Sequence, residues 1–313
     1  MNGDAQLRFG LVGTGYWARI AHAPALSSTV DVELTAVWGR NRQAAAELAA
    51  EYQATPYHDI SAFLAGVDAV CFAVPPDLQA PLATQAAREG KHLLLEKPVA
   101  LTEAAADGLV EAVEQAGVAS VVFFTNRFLP EVRAWLAEVE ARGGWAGGVS
   151  AWLGSALRES NPFNTPWRRD NGGLWDVGPH MISLLWASLG PVTSVTADAG
   201  PADVTHLVLH HQGGATSTTT LTLSATEAAA GFEAYVWGES GRLAAPSSVD
   251  RVAALSTALG ELVANARAGR TDHPCDVRFG RDVGRVLAEA QRQIDARRGS
   301  QAIGASRAGQ ASA

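Results

Sequence analysis

The chain has 313 residues, enough for two domains with separate cores, since domains run to about 100–200 residues. Apolar residues make up 47% and charged residues 18%, which excludes a disordered chain. A formal net charge of −8 argues against nucleic acid as partner, and the arginine-rich QRQIDARRGS near the end reads as a solvated last helical turn.

Cys71 and Cys275 lie far apart, with no disulfide framework and no zinc spacing, which fits a reducing compartment. Cys71 sits in the apolar run DAVCFAV and reads as a core residue. The N-terminal MNGDAQLRFG lacks the basic and apolar character of a signal peptide, and no apolar run approaches the roughly 20 residues needed to span a bilayer. The expectation is a soluble, cytoplasmic protein.

Up to residue 124, short apolar runs alternate with helical patterns. Strands are expected at RFGLV (8–12), VELTAV (32–37), DAVCFAV (68–74), HLLLE (92–96) and SVVFF (120–124). Helices are expected over 42–52, 78–90 and 102–117, the last bracketed by Thr102 as N-cap and Gly117 just past its end. Continuous apolar strands alternating with helices predict a doubly wound parallel sheet.

Beyond residue 145 the rhythm changes to longer strands, GGVSAWLGSAL, VTSVTADAG, THLVLHHQ, ATSTTTLTLSA and FEAYVWGE, with helices returning over 249–269 and 276–298. TSTTTLTLS alternates as a sheet with one wet face does. The predicted layout is a dinucleotide-binding Rossmann domain over 1–124 and an α+β domain with a large, open, mostly antiparallel sheet over 125–298. A frayed tail would occupy 299–313.

The first strand ends in GTGYWA, a G-x-G-x-x-A. Gly13 allows the tight turn, Gly15 lets the backbone approach a pyrophosphate, and Ala18 lets the helix pack close. The helix N-terminus, from Thr14 through Tyr16 and Trp17, then offers N–H groups to phosphates. At the end of the second strand, where an NAD site carries an acid, stand Gly39 and Arg40. A missing carboxylate beside a guanidinium suits the 2′-phosphate of NADP, with NAD possible; a surface arginine stacking on adenine is the alternative.

LLLEKP drives a buried strand into Glu96, Lys97 and a proline. Ligands of doubly wound sheets bind outside the strands' carboxyl ends, so Lys97 is expected to face the nicotinamide region. In GGLWDVGPHMISLL, Asp176 fits an N-cap and Pro179 a first turn, which places His180 near a helix N-terminus. There the dipole disfavours imidazolium, and a neutral imidazole can act as general base. A helix cap and a core histidine explain the same residues without chemistry. His206 and His210 share a strand face but, at about 3.3 Å per residue, are spaced too widely to chelate one metal, and no metal is expected.

GTGYWA, EKP, NRF and WRRDNGGLWDVGPH together resemble the Gfo/Idh/MocA family of sugar and cyclitol dehydrogenases, over about Arg8 to Arg298. The resemblance implies that Lys97, Asp176 and His180 are catalytic and also touch substrate. It places Ala73, Val74, Pro75, Pro76 and Gln79 in a cofactor-lining loop, with Pro76 and Gln79 replacing the usual Asn and His. Glu96, Trp167 and Arg168 fall near the cofactor, Asn126 and Arg127 near the substrate, and Ser183 where many members have a second Asp. It implies an oxidoreductase acting on a secondary alcohol or ketone of a sugar-like polyol, as a homodimer or homotetramer, and Gly39 with Arg40 adds the NADP preference. A non-catalytic NAD(P)-binding regulator, or a lyase or hydrolase using transient oxidation, are the alternatives.

Overall fold

The computed structural model describes residues 6–247 and 250–311, with side chains as far as residue 300. Strands β1 (Leu7–Val12), β2 (Val32–Trp38), β3 (Thr55–Tyr57), β4 (Ala69–Phe72), β5 (His92–Leu95) and β6 (Ser120–Val122) form a parallel sheet in the order β3-β2-β1-β4-β5-β6. Every residue of β4 and β6 is buried, as expected for strands covered on both faces.

The connections are helical. A π turn (Ala18–His22) leads into α1 (Ala23–Ser28), followed by α2 (Arg42–Glu51), α3 (Ile60–Ala65), α4 (Pro76–Arg88) and α5 (Glu103–Ala116). Local chemistry sets their ends: the side chains of Asn41, Asp59 and Thr102 accept N–H bonds as N-caps of α2, α3 and α5, and Gly117 closes α5 at φ 64°. The short β3 and α3 had no clear period in the sequence and were not expected. A 3-10 turn (Thr125–Phe128) and α6 (Pro130–Arg142) follow β6.

The second sheet contains β7 (Trp145–Leu153), then, after α7 (Pro166–Asp176) and α8 (Gly178–Leu189), β8 (Val192–Ala199), β9 (Thr205–His211), β10 (Thr216–Thr222), β11 (Gly231–Gly238) and β12 (Gly241–Ala244). Its order is β12-β11-β7-β10-β9-β8, antiparallel throughout except for the β7–β10 pair. In β10, exposed Thr216 and Thr218 alternate with buried Ser217 and Thr219, the predicted wet and dry faces. Gly148 lets α8 lie close to β7: a Cβ there would stand 3.1 Å from Leu185 and Leu189.

Helices α9 (Arg251–Ala268) and α10 (Val277–Ala311) complete the fold. Two compact units result, Met1–Trp135 with Ser248–Gly284, and Leu136–Ser247 with Arg285–Ala313. The division differs from the expected boundary at residue 124, because α9 and the start of α10 return to the first unit. There Arg133 of α6 and Glu261 of α9 pair, and Arg267 of α9 pairs with Asp31. Helix α10 also continues past Gly299, where a frayed tail was expected; no proline interrupts it, and extending an existing helix costs little. Ser312 and Ala313, like Val249 at the expected start of α9, lie outside the described residues. No helix among the described residues is long and apolar enough to cross a membrane.

Candidate active site

In the first unit the strand order reverses between β1 and β4, and the glycine turn sits at that point. Gly13 has φ 128°, and a Cβ on it would stand 2.4 Å from the carbonyl oxygen of Ala73, just past β4. The protein itself therefore demands glycine at 13. Gly15 differs: a Cβ there would meet no atom within 4 Å. That open space beside the helix N-terminus, with Tyr16 46% exposed, fits a bound pyrophosphate. At the end of β2, a Cβ on Gly39 would stand 2.7 Å from Thr14 Cγ2, so a side chain at 39 would press on the glycine turn. Arg40 is exposed beside it.

Lys97 follows β5 in a turn stitched from below. Gln79, fully buried on α4, accepts the Glu96 N–H at 2.8 Å and donates to the Glu96 carbonyl at 2.7 Å. It also reaches the Pro98 and Val99 carbonyls at 3.3 Å each. In place of lining a cofactor loop, the Gln79 side chain is thus spent on the main chain of the lysine turn. Pro76 starts α4 and is buried, Pro75 is exposed, and Ala73 and Val74 are half-buried. Glu96 is 9% exposed: its Oε1 accepts from Trp17 Nε1 at 2.6 Å and lies 2.9 Å from His22 Nε2.

Asn126 occupies the 3-10 turn after β6, 5% exposed, and its Nδ2 has no hydrogen-bond partner among the described residues. A buried amide donor left open suits a ligand at the carboxyl end of the sheet. The Arg127 guanidinium lies over the Phe279 ring, 5.7 Å from its centroid.

In the second unit, Asp176 is reached through helix α7, which no pattern in the sequence announced. Thr165 caps it, accepting from the Arg168 N–H at 3.4 Å, and Pro166 is its first residue. The glycine pair makes the corner. Gly172 takes φ 62° and ψ −164°, a conformation that favours glycine. Gly173 lies so close to β10 that a Cβ would stand 2.9 Å from the Thr222 backbone. Asp203 ties this corner down, accepting from the N–H groups of Gly173 (3.0 Å) and Leu223 (2.7 Å).

Asp176 therefore ends α7 and does not cap the next helix. The N-cap of α8 is Val177, with no side-chain bond, and Asp176 Oδ2 accepts from Arg168 Nε at 2.8 Å. The missed helix explains the difference, because it brings Arg168 back onto the carboxylate. Arg168 also stacks on Phe163 and Trp167, 5.1 and 5.8 Å from their centroids. Pro179 does lie in the first turn of α8, and His180 is the third residue of that helix, 6% exposed. Its ring is tilted 30° against Trp152 at 5.3 Å. Ser183 Oγ donates to the His180 carbonyl at 2.9 Å, a bond within the helix. His206 and His210 both point to the exposed face of β9.

Sequence reasoning missed Trp17, His22 and Asp203 in these roles. Trp17 and His22 are five residues apart, a spacing that carries no helical signal, and Asp203 belongs to a loop distant in sequence.

Comparison with known proteins agrees with this fold. A domain model described as an oxidoreductase family with an NAD-binding Rossmann fold matches residues 7–124, and the GFO/IDH/MocA C-terminal domain matches 138–244. Glucose-6-phosphate 3-dehydrogenase of Bacillus subtilis is 28% identical over 188 residues, 57% of this chain and 53% of the relative. The chain spans about half the length of the curated relatives it matches. Among solved structures, an oxidoreductase domain protein from Kribbella flavida superposes with a TM-score of 0.83 at 21% identity, covering 94% of this chain and 98% of that one. An oxidoreductase from Agrobacterium radiobacter, in complex with NAD+, L-tartaric acid and magnesium, gives 0.77 at 18% identity, covering 93% and 97%. At these identities the structural likeness is one of fold. The two domain models, which together match more than half of the chain, belong to one family, and this protein is a member of it: the Gfo/Idh/MocA oxidoreductases.

Proposed function

We propose that this protein is an NAD(P)-dependent dehydrogenase or reductase, preferring NADP, that interconverts a secondary alcohol and a ketone on a sugar-like or cyclitol substrate. The observation that carries the reading is the buttressed Lys97 turn at the end of β5, in the same unit as a glycine turn with open space at Gly15. Residue usage supports it. Of 24 basic residues only Lys91 and Lys97 are lysines, and Lys91 donates to the Val67 carbonyl at 3.0 Å. A chain that otherwise uses arginine keeps at 97 a compact ammonium that can exchange its proton.

The residues that would hold the cofactor are the main chain from Gly13 to Tyr16 for the pyrophosphate, Ala73 and Val74 along the crevice, and Arg40 for a 2′-phosphate. A bound nicotinamide cofactor would supply hydride acceptance and donation. Lys97 donates a hydrogen bond to the reacting oxygen and stabilises its developing negative charge. His180 Nε2 or Nδ1 takes the hydroxyl proton in oxidation and returns it in reduction. Asp176, held by Arg168, is the carboxylate that orients these proton-carrying groups. Asn126 Nδ2 is a donor available to a substrate hydroxyl. Kinship with glucose-6-phosphate 3-dehydrogenase supports a sugar-like substrate, and a cytoplasmic homodimer or homotetramer completes the proposal.

The test is turnover of NADPH and NADH with a panel of keto-sugars, and of NADP and NAD with the matching polyols, for wild type and Lys97→Met. Cofactor turnover lowered by about 10²–10⁴-fold in Lys97→Met is the expected result. Cofactor binding without turnover on any member would favour a regulator, and product without net change in cofactor absorbance would favour transient oxidation.

A further inference from the structure

Behind the lysine turn lies a buried polar cluster that the proposed reaction does not use directly. His22 is fully buried, its Nε2 2.9 Å from Glu96 Oε1 and its Nδ1 3.1 Å from Cys71 Sγ. Trp17 Nε1 donates to the same Glu96 oxygen at 2.6 Å, and Glu96 Oε2 accepts from the Lys97 N–H at 3.3 Å. Phe123 closes the cluster edge-on against His22 at 6.4 Å.

The local backbone makes this convergence possible. In an α-helix residues advance by about 100°, so positions 17 and 22 would project about 140° apart. The π turn, with Ala23 N–H bonding to Ala18 O, widens the turn and brings positions 17 and 22 toward one face, where both reach Glu96 Oε1. Protonation follows from the surroundings. Burial first, then the Glu96 charge, pushes the Cys71 thiol well above its ordinary range, so Sγ keeps its proton and can donate to His22 Nδ1. That leaves Nε2–H for the carboxylate.

We infer that Trp17 and His22 are positioning residues: brought together by the π turn, they clamp the Glu96 carboxylate and thereby fix the Lys97 turn. A carboxylate at a strand end needs partners when buried, and two charge-assisted donors on one oxygen hold it in a single rotamer. The adjacent peptide, and with it the Lys97 side chain, inherits that rigidity. The functional meaning of the clamp rests on the reading of Lys97 as a catalytic group, but the clamp can be tested without a substrate.

With only two lysines in the chain, competitive acetylation by acetic anhydride, read by mass spectrometry, reports Lys97 against Lys91 as internal reference. We expect the Lys97/Lys91 labelling ratio to rise roughly three- to tenfold in His22→Ala as the turn loosens. In Trp17→Phe, which keeps the ring and removes one donor, it should rise by about half as much on a logarithmic scale. His22→Gln, whose amide keeps a donor toward Glu96, should restore most of the wild-type ratio. A general loss of stability would raise labelling at both lysines and leave the ratio unchanged. Ratios equal to wild type in both His22→Ala and Trp17→Phe would overturn the inference, and if His22→Ala does not fold, the half-exposed Trp17 position decides. Failure of the catalytic reading shows separately, as full turnover in Lys97→Met.

Discussion

The lysine turn of the first unit and the Asp176–His180 corner of the second are held by different means. Around Lys97 the constraint comes from side chains: Gln79 bonds the turn's main chain, and Trp17 and His22 hold the neighbouring carboxylate. At the corner it comes first from glycines, with Gly172 at φ 62° and Gly173 pressed against the Thr222 backbone, and the Asp203 carboxylate ties that backbone down. Side-chain anchoring can be loosened by degrees, one hydrogen bond at a time. Glycine anchoring gives less gradation, since a carbon added at Gly173 must displace the Thr222 backbone and one added at Gly172 sits in a strained φ. Substitutions near Lys97 are therefore expected to alter chemistry smoothly, and substitutions at the corner to alter structure abruptly.

The largest expected effects lie on the proposed reacting groups. Lys97→Met and His180→Ala should each lower kcat by about 10²–10⁴-fold with cofactor affinity nearly unchanged, as measured by steady-state kinetics and cofactor titration. An unaffected member of the pair would break the comparison, because only one segment would then serve catalysis. Next comes Gly15→Val. A Cβ there meets no protein atom within 4 Å, so melting should be nearly unchanged while NAD(P) affinity falls by about a hundredfold or more in calorimetry. Normal cofactor binding would remove the pyrophosphate from this turn.

Arg40→Ala should weaken NADP by about 1.5–3 kcal/mol and leave NAD nearly alone, as one lost charged contact does. Equal losses would mean that Arg40 only stacks on adenine. At the corner, Gly173→Ala should cost about 1–3 kcal/mol of stability in denaturant titration and reduce turnover without changing cofactor affinity. A neutral result would show that the second segment yields as gradually as the first.

The smallest effect concerns the first unit's acid stability. Burial works to raise the Glu261 carboxyl, but hydrogen bonds from His273 and Arg133 outweigh it and bring it down to about 2. Because the folded-state value is depressed, its stabilisation is complete above the ordinary value near 4.5 and is lost as pH falls from there toward 2. Glu261→Gln should therefore cost about 1–2 kcal/mol at neutral pH, and less as the pH approaches 2. A constant difference across that range in acid-denaturation curves would assign the loss to packing.

What the sequence determined by itself is what local chemistry writes: alternating apolar strands and helices, the glycine turn after β1, the caps of α5, and EKP at the end of β5. Each depends on neighbours a few residues away, so residue type and spacing suffice. The tertiary structure alone decided the rest. Helix α7 was hidden because its glycine pair reads as a break until Asp203 and β10 are seen to hold it, and Asp176 changed from expected cap to partner of Arg168 for that reason. The assignment of α9 to the first unit likewise rests on pairs such as Arg133–Glu261, distant in sequence. The Glu96 clamp needed both a π turn, which no periodicity announces, and a strand that arrives about 75 residues later, because a helix propensity fixes the pitch only where nothing else competes for it.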